Sequence, residues 1–307
     1  ENFEKTLDDY EVALMNRSNL TLEQMNWRRH TIANKCAGDK ELFMQEYPST
    51  PEEAFIASGR PVFNIPALRK YLEHAKEGIK GYIKENTFLQ DEKGYVEIWK
   101  EPKPNAYYVI GADVAEGLVE GDYSVAQVLD EDCNVVARWH GHIDPDLFGI
   151  ELVNLARYYN DAYLAIENNN HGLTTIKSVQ RQEYWNLFFS KTYDRFSDTI
   201  TKKLGWSTNG KTKPMMIDKL AEFVREFYIG IQDKLTIQEL LTYIIEDNGK
   251  TNAQEGCHDD CVTSLAIALQ AWLEGKGENY TPEVVDENRA RNIVDPLFEE
   301  EELEVSE

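Results

Sequence analysis

Two short runs of uninterrupted apolar residues, each closed by a carboxylate, constrain the fold of this chain more than any other feature. Tyr107-Tyr108-Val109-Ile110-Gly111-Ala112 ends on Asp113, and Tyr163-Leu164-Ala165-Ile166 ends on Glu167. A strand with one wet face alternates apolar and polar residues, so a continuous run predicts a strand covered on both faces. Two further strands are predicted between these runs, over 124–129 and 135–139, joined by the turn Asp130-Glu131-Asp132-Cys133-Asn134. That turn is short enough for an antiparallel hairpin. The helix expected over 146–159 instead makes the return to 163–166 a parallel crossover. The order β-β-β-α-β-α, followed by further elements, predicts an α/β fold with a mixed sheet flanked by helices.

Residues 1–46 carry helical stripes broken near Asn19-Leu20-Thr21, and Pro48, Pro51, Gly59, Pro61 and Pro66 then mark a linker. A short helix is expected over 67–77, and strand periodicity begins near Tyr82. Later helices are expected over 172–182, 214–227, 236–246 and 258–273. Residues 1–60 thus form a helical segment with a linker, 61–275 the main domain, and 276–307 an acidic tail containing Glu299-Glu300-Glu301-Glu302.

With 307 residues, 42% of them hydrophobic, the chain can bury a sizeable core. No apolar run approaches the ~20 residues needed to cross a bilayer and no signal-peptide pattern opens the sequence, so no membrane partner is expected. Cys36, Cys133, Cys257 and Cys261 lack the partner spacing of a zinc site and are read as free thiols. The net charge of −23 argues against general nucleic-acid binding, which needs phosphate-neutralising Lys and Arg. A carboxylate cluster holding metal accounts for only a few of those charges.

Asp113 and Glu167, ending neighbouring strands, would lie at one sheet edge. Asp259-Asp260 stand at the start of a strongly apolar helix, where acids also serve as ordinary caps. Burying like charges together is costly unless a cation offsets them. Converging carboxylates suit Mg²⁺ or Mn²⁺, hard ions that prefer oxygen. Two such ions ~3.5–4 Å apart can activate water and stabilise a leaving oxygen in phosphodiester cleavage.

Gly111-Ala112-Asp113-Val114-Ala115-Glu116-Gly117 with Gly121-Asp122-Tyr123-Ser124 resembles the first nuclease motif of tailed-phage large terminase subunits. Ile166-Glu167-Asn168-Asn169-Asn170-His171-Gly172 is similar to the second, and Gly256-Cys257-His258-Asp259-Asp260-Cys261-Val262 to the third. Upstream, Phe43-Met44-Gln45-Glu46-Tyr47-Pro48 and Pro51-Glu52-Glu53-Ala54-Phe55 resemble the family's junction between ATPase and nuclease parts. The resemblance covers about residues 40–273. It implies an RNase H-like endonuclease that cuts concatemeric double-stranded DNA during packaging, with two Mg²⁺ or Mn²⁺ ions. Asp113, Glu167 and Asp260 would be the catalytic metal ligands. Asp259 would be a further ligand, and Glu116, Asp122, Asn169 and His258 would support them. The implied partners are DNA, the small terminase subunit, the portal and the ATPase part of the large subunit. The implied location is the infected bacterial cytoplasm and, transiently, the procapsid portal. Since no credible ATPase core is present, the chain reads as a fragment or as the product of a split.

One conflict is internal to the third motif. The apolar stripe Val262, Leu265, Ala266, Leu269 and Trp272 puts His258 and Asp259 on the inward helix face and Asp260 off it. The resemblance favours Asp260 as principal ligand.

Gly205-Trp206-Ser207-Thr208-Asn209-Gly210-Lys211-Thr212 fits the P-loop expression, giving an NTP-binding module as an alternative, although the polar, basic residues 201–204 precede it instead of a buried strand. Lys202, Lys203, Lys211 and Lys213 form the densest basic cluster in this region, read either as a solvated loop or as a DNA contact. A non-catalytic docking module of a packaging motor is a third reading, against which the intact acidic set argues. His140 and His142 alternate along a strand, but no placed Ser or Cys makes them a triad.

Overall fold

A computed structural model describes residues 3–276, apart from 19, 39, 41–42, 44–46, 48–59, 119–120, 195–198 and 247. The expected tail at 276–307, apart from its first residue, and most of the expected linker lie outside the described residues. Near the N-terminus, α1 (Asp9–Ser18) and α2 (Leu22–Lys35) are separated where the sequence predicts a break. Thr21 caps α2, and its box partner Gln24 returns the bond. Glu11 and Arg29 tie the two helices together, with Arg29 Nε donating to Glu11 Oε1 at 2.7 Å.

The main domain is built on strands β1 (Arg60–Pro61), β2 (Ile79–Lys84), β3 (Thr87–Gln90), β4 (Val96–Ile98), β5 (Val109–Asp113), β6 (Ser124–Leu129), β7 (Val135–Gly141) and β8 (Tyr163–Ile166). Seven of them form a mixed sheet in the order β3-β2-β4-β7-β6-β5-β8. β5 pairs antiparallel with β6 and parallel with β8, as the hairpin-then-crossover pattern predicts. Helices α4 (Pro145–Tyr158) and α5 (Asn170–Arg181) cover one face. Helices α3 (Ile65–Glu73), α6 (Thr212–Arg225), α7 (Lys234–Leu241) and α8 (Asp260–Lys276) lie on the other.

The continuous apolar runs are explained by this sandwich. Ile110, Ala112, Leu164 and Ile166 join the core under α4 and α5, with Leu152 and Val153. Val109 and Ala165 join the opposite core, with Leu220, Leu265 and Trp272. Successive strand residues face opposite sides, so Asp113 and Glu167 share the side of Val109 and Ala165, where α8 lies.

Helix α8 rests almost directly on β5. A Cβ on Gly111 would stand 2.2 Å from the Ala268 nitrogen and 2.3 Å from the Ser264 carbonyl oxygen. Only a residue without a side chain allows this approach. Gly111→Ala is therefore expected to destabilise the protein by roughly 1–3 kcal/mol or more, as overpacking does, and denaturant titration measures it. An unchanged midpoint would mean that the helix is free to move off the strand.

Several expected boundaries shift. The helix expected over 236–246 stops at Leu241, and the chain becomes β11 (Tyr243–Ile245), paired with β1 and β12 (Thr251–Ala253). Ile237, Leu240, Leu241 and Ile244 keep helical spacing, so periodicity alone could not find the end. Pro66 sits in the first turn of α3, behind the N-cap Asn64, where its missing N–H costs nothing. The hairpin of β9 (Phe189–Asp194) and β10 (Thr199–Leu204) was not predicted. Thr201, Lys202 and Lys203 are exposed, so this strand carries no apolar alternation to betray it.

Candidate metal centre

The register of β5 against β8 places two acids side by side. Ala112 pairs with Ile166, and the Glu167 N–H donates to the Ala112 carbonyl at 2.9 Å. Asp113 and Glu167 are thus neighbours where both strands end. Asp260 arrives from the helix. Ser264 lies over Gly111; one helical turn back from Ser264 and two strand residues on from Gly111 each advance about 6 Å. Asp260 therefore reaches the level of Asp113.

The electrostatics register this convergence. Loss of hydration, then Glu167 and Asp260, hold the Asp113 carboxyl well above the usual carboxylate range. Burial, with Asp122 and Asp259 adding to it, pushes Asp260 up to about 6. Against these stand the Tyr123 N–H, which donates to Asp260 Oδ2 at 3.2 Å, and His258, whose Nδ1 is 3.6 Å from the same oxygen. One donor atom each from Asp122, His258 and Asp260 lie within 4.8 Å of one another. Asp122 itself is largely exposed, and its Oδ1 is 3.9 Å from His258 Nδ1.

Glu167 is held by its own neighbour. Asn169 Nδ2 donates to Glu167 Oε2 at 2.6 Å, while Asn169 Oδ1 accepts the Gly172 N–H at 2.7 Å and so caps α5. Gly172 is required here, because a Cβ would fall 1.7 Å from the Glu167 carbonyl oxygen. Asn169→Ala should cost ~0.5–2 kcal/mol through the lost cap. It should also lower metal affinity or activity by ~10–100-fold, as loss of a ligand-orienting partner does. Thermal melts and metal titration separate the two effects; full affinity in a destabilised variant would reduce Asn169 to a cap.

Helix α8 lies on β5 along Ser264 and Ala268, and Asp260 begins that same stripe one turn earlier. Helix α8 starts at Asp260, and Asp259 precedes it, giving its carbonyl to the Thr263 N–H at 2.9 Å. Extending the inward stripe back to His258 and Asp259 is therefore invalid, since neither is helical. Asp260 is buried at 6% exposure, whereas Asp259 turns toward Lys213, with Nζ 3.7 Å from Oδ2.

Of the other residues singled out, Glu116 pairs with His171 at 3.2 Å, and both are largely exposed. Lys213 Nζ donates to Asn252 Oδ1 at 3.0 Å, which brings this one lysine to the acidic edge. Lys202, Lys203 and Lys211 are exposed. The P-loop-like segment is differently organised. Trp206 N–H donates to the Ile166 carbonyl at 2.8 Å, extending the sheet beside Glu167. Asn209 Oδ1 accepts the N–H groups of Lys211 and Thr212 at 2.9 and 3.2 Å, so donors that would cradle a phosphate are already engaged. The preceding strand belongs to a two-stranded sheet rather than to the central one.

Sequence reading places Tyr123 in the first motif but gives it no role. Besides its N–H on Asp260, its ring packs against His140, His142 and His258 at centroid distances of 4.2, 4.0 and 5.2 Å. The alternation of His140 and His142 was the available signal, since residues two apart on a strand share a face.

No family model matches the chain, and no curated protein does. Among solved structures, the cobalt-bound large terminase nuclease from thermophilic phage G20c matches with a TM-score of 0.50 at 21% identity, over 69% of this chain and 98% of that one. This chain has the RNase H-like fold of a large terminase nuclease. The magnesium-bound form of the same nuclease gives a TM-score of 0.49 at 20% identity, over 69% and 98%. The Thermus phage P74-26 large terminase nuclease domain gives 0.44 at 21%, over 66% and 93%. On this fold, Asp113 and Glu167 end β5 and β8, and Asp260, at the start of α8, is near enough to act on the Asp113 carboxyl.

Proposed function

We propose that this chain is a metal-dependent endonuclease that cuts double-stranded DNA during viral genome packaging. The observation that carries the proposal is that Asp113 and Glu167 end adjoining strands with Asp260 close by, burial first and then these two like charges raising the Asp113 carboxyl. Lys213 pairs with Asp259, at 3.7 Å, and no cation is among the groups that act on the Asp113 carboxyl. The cluster therefore suits cations from solution, and its oxygen donors suit Mg²⁺ or Mn²⁺. The cobalt ion bound to the nuclease of similar fold supports the same reading.

Asp113, Glu167 and Asp260 would hold the metal, two ions in all, with Asp259 as a supporting ligand. Bound ions supply an activated water and charge stabilisation for the leaving oxygen. The remaining residues hold the carboxylates in place: Asn169 fixes Glu167, the Tyr123 N–H and His258 act on Asp260, and Asp122 borders Asp260, while Glu116 would support them through its pair with His171. Lys202, Lys203, Lys211 and Lys213 would meet phosphate. The Lys211→Ala, Lys213→Ala double variant should weaken DNA binding and reduce its salt slope by roughly one unit per lost contact. An unchanged slope returns the loop to a solvated role.

By the same reading, residues 1–60 belong to the ATPase part and its linker, 61–275 to the nuclease and 276–307 to a tail. The small terminase subunit, the portal and the ATPase part are the protein partners. The protein works in the infected bacterial cytoplasm and transiently at the procapsid portal. Plasmid digestion tests the activity. Cleavage is expected with Mg²⁺ or Mn²⁺ and none with EDTA. A folded protein that binds metal yet never cuts would instead be a docking module.

A further inference from the structure

The polar layer between the sheet and helices α7 and α8 holds a second group of potential ligands, chemically unlike the first. His140 comes from β7, Glu239 from α7 and Cys261 from α8, and one donor atom of each lies within 4.8 Å of the others. We propose that His140, Glu239 and Cys261 bind a zinc-like divalent ion that fastens the first turn of α8 to the sheet.

The donor set decides the class of ion. Nitrogen, oxygen and thiolate sulfur together suit Zn²⁺, whereas the all-carboxylate cluster suits harder ions. Ligands ~2.0–2.3 Å from a tetrahedral ion stand about 3.3–3.8 Å apart, so the group needs to contract by no more than about 1.5 Å. Side-chain rotation covers that distance. Cys261 is 0% exposed and Glu239 6%, which excludes competing solvent from two of the three ligands.

Charge and hydrogen bonding agree. Arg138, the nearby cation, is already paired with both Asp233 and Glu97. One divalent ion balances the carboxylate of Glu239 and a thiolate at Cys261. Beside them, the fully buried Gln127 donates through Nε2 to the Cys261 carbonyl at 2.9 Å and to Thr236 Oγ1 at 3.0 Å. Its other atom, Oε1, is buried with no hydrogen-bond partner. Orphaned buried acceptors are rare, and an ion or the water it carries would satisfy this one. Glu239 Oε2 already accepts the Cys261 N–H at 2.8 Å, so the ion strengthens an existing anchor of the turn that carries Asp260.

Titration of the metal-free protein with Co²⁺ tests the site. A thiolate-to-cobalt charge-transfer band in the near ultraviolet is expected, its final intensity that of one thiolate-bound cobalt per chain; Asp113, Glu167 and Asp260 contain no sulfur and give none. The band should survive Cys257→Ser and vanish in Cys261→Ser. No band in folded wild-type protein, or loss with Cys257→Ser instead, overturns the proposal. Should Cys261→Ser fail to fold, X-ray absorption of zinc-loaded wild-type protein decides. One sulfur and one imidazole in the metal shell are expected, and a shell without sulfur contradicts the site.

Discussion

Asp113→Asn is expected to abolish metal-dependent DNA cleavage while leaving the metal-free protein at least as stable as the wild type. The activity loss follows from removing a group that would hold the ions. Metal stabilisation is worth several kcal/mol in the transition state, so the rate should fall by a hundredfold or more. The stability effect has the opposite sign from most buried substitutions. Asp113 is held above its ordinary range by lost hydration and by Glu167 and Asp260. A carboxyl raised on folding binds more protons in the native state than in the unfolded state. Its contribution to stability therefore falls as pH rises from the unfolded value through the folded one, and stays low at neutral pH. Asn removes that penalty. Melting curves with EDTA at pH 7, set beside cleavage rates in Mn²⁺, check both halves. A variant that melts well below wild type would show that Asp113 is a structural acid.

Asp260→Asn and Asp259→Asn are expected to separate widely in a Mn²⁺ titration of cleavage. Asp260 is buried and approaches Asp113, whereas Asp259 lies outside the helix and turns to Lys213. Losing Asp260 should leave almost no activity at any Mn²⁺ concentration. Losing Asp259 should cost about 10–100-fold and be partly recovered at high metal. Because Asp260 is pushed up to about 6, apparent metal affinity should also drop as pH falls through that value, protons competing for the carboxylate. Near-normal cleavage by Asp260→Asn, with Asp259→Asn inactive, would reverse the assignment.

The sequence disclosed what periodicity can encode. Runs covered on both faces, a short hairpin turn and a helix-long crossover specify β5 to β8, and strand alternation then places Asp113 and Glu167 on one face. Periodicity failed where neighbours decide. The β9–β10 hairpin has polar exposed residues, and the end of α7 hides inside spacing that also suits a helix. In the third motif the helical wheel opposed the resemblance because it took the apolar stripe of Val262, Leu265 and Leu269 alone as the inward face. The face laid on β5 also carries the small residues Ser264 and Ala268, a stripe that Asp260 begins. Tyr123 was signalled only by the alternation of His140 and His142, because its tie to Asp260 is a backbone N–H, which any residue possesses.

Anomalous diffraction from crystals soaked in Mn²⁺ tests the central claim most directly. Manganese peaks are expected at the ends of β5 and β8, with direct ligation by Asp113, Glu167 and Asp260. Ions bound elsewhere, with those three carboxylates left uncoordinated at saturating Mn²⁺, would contradict the account.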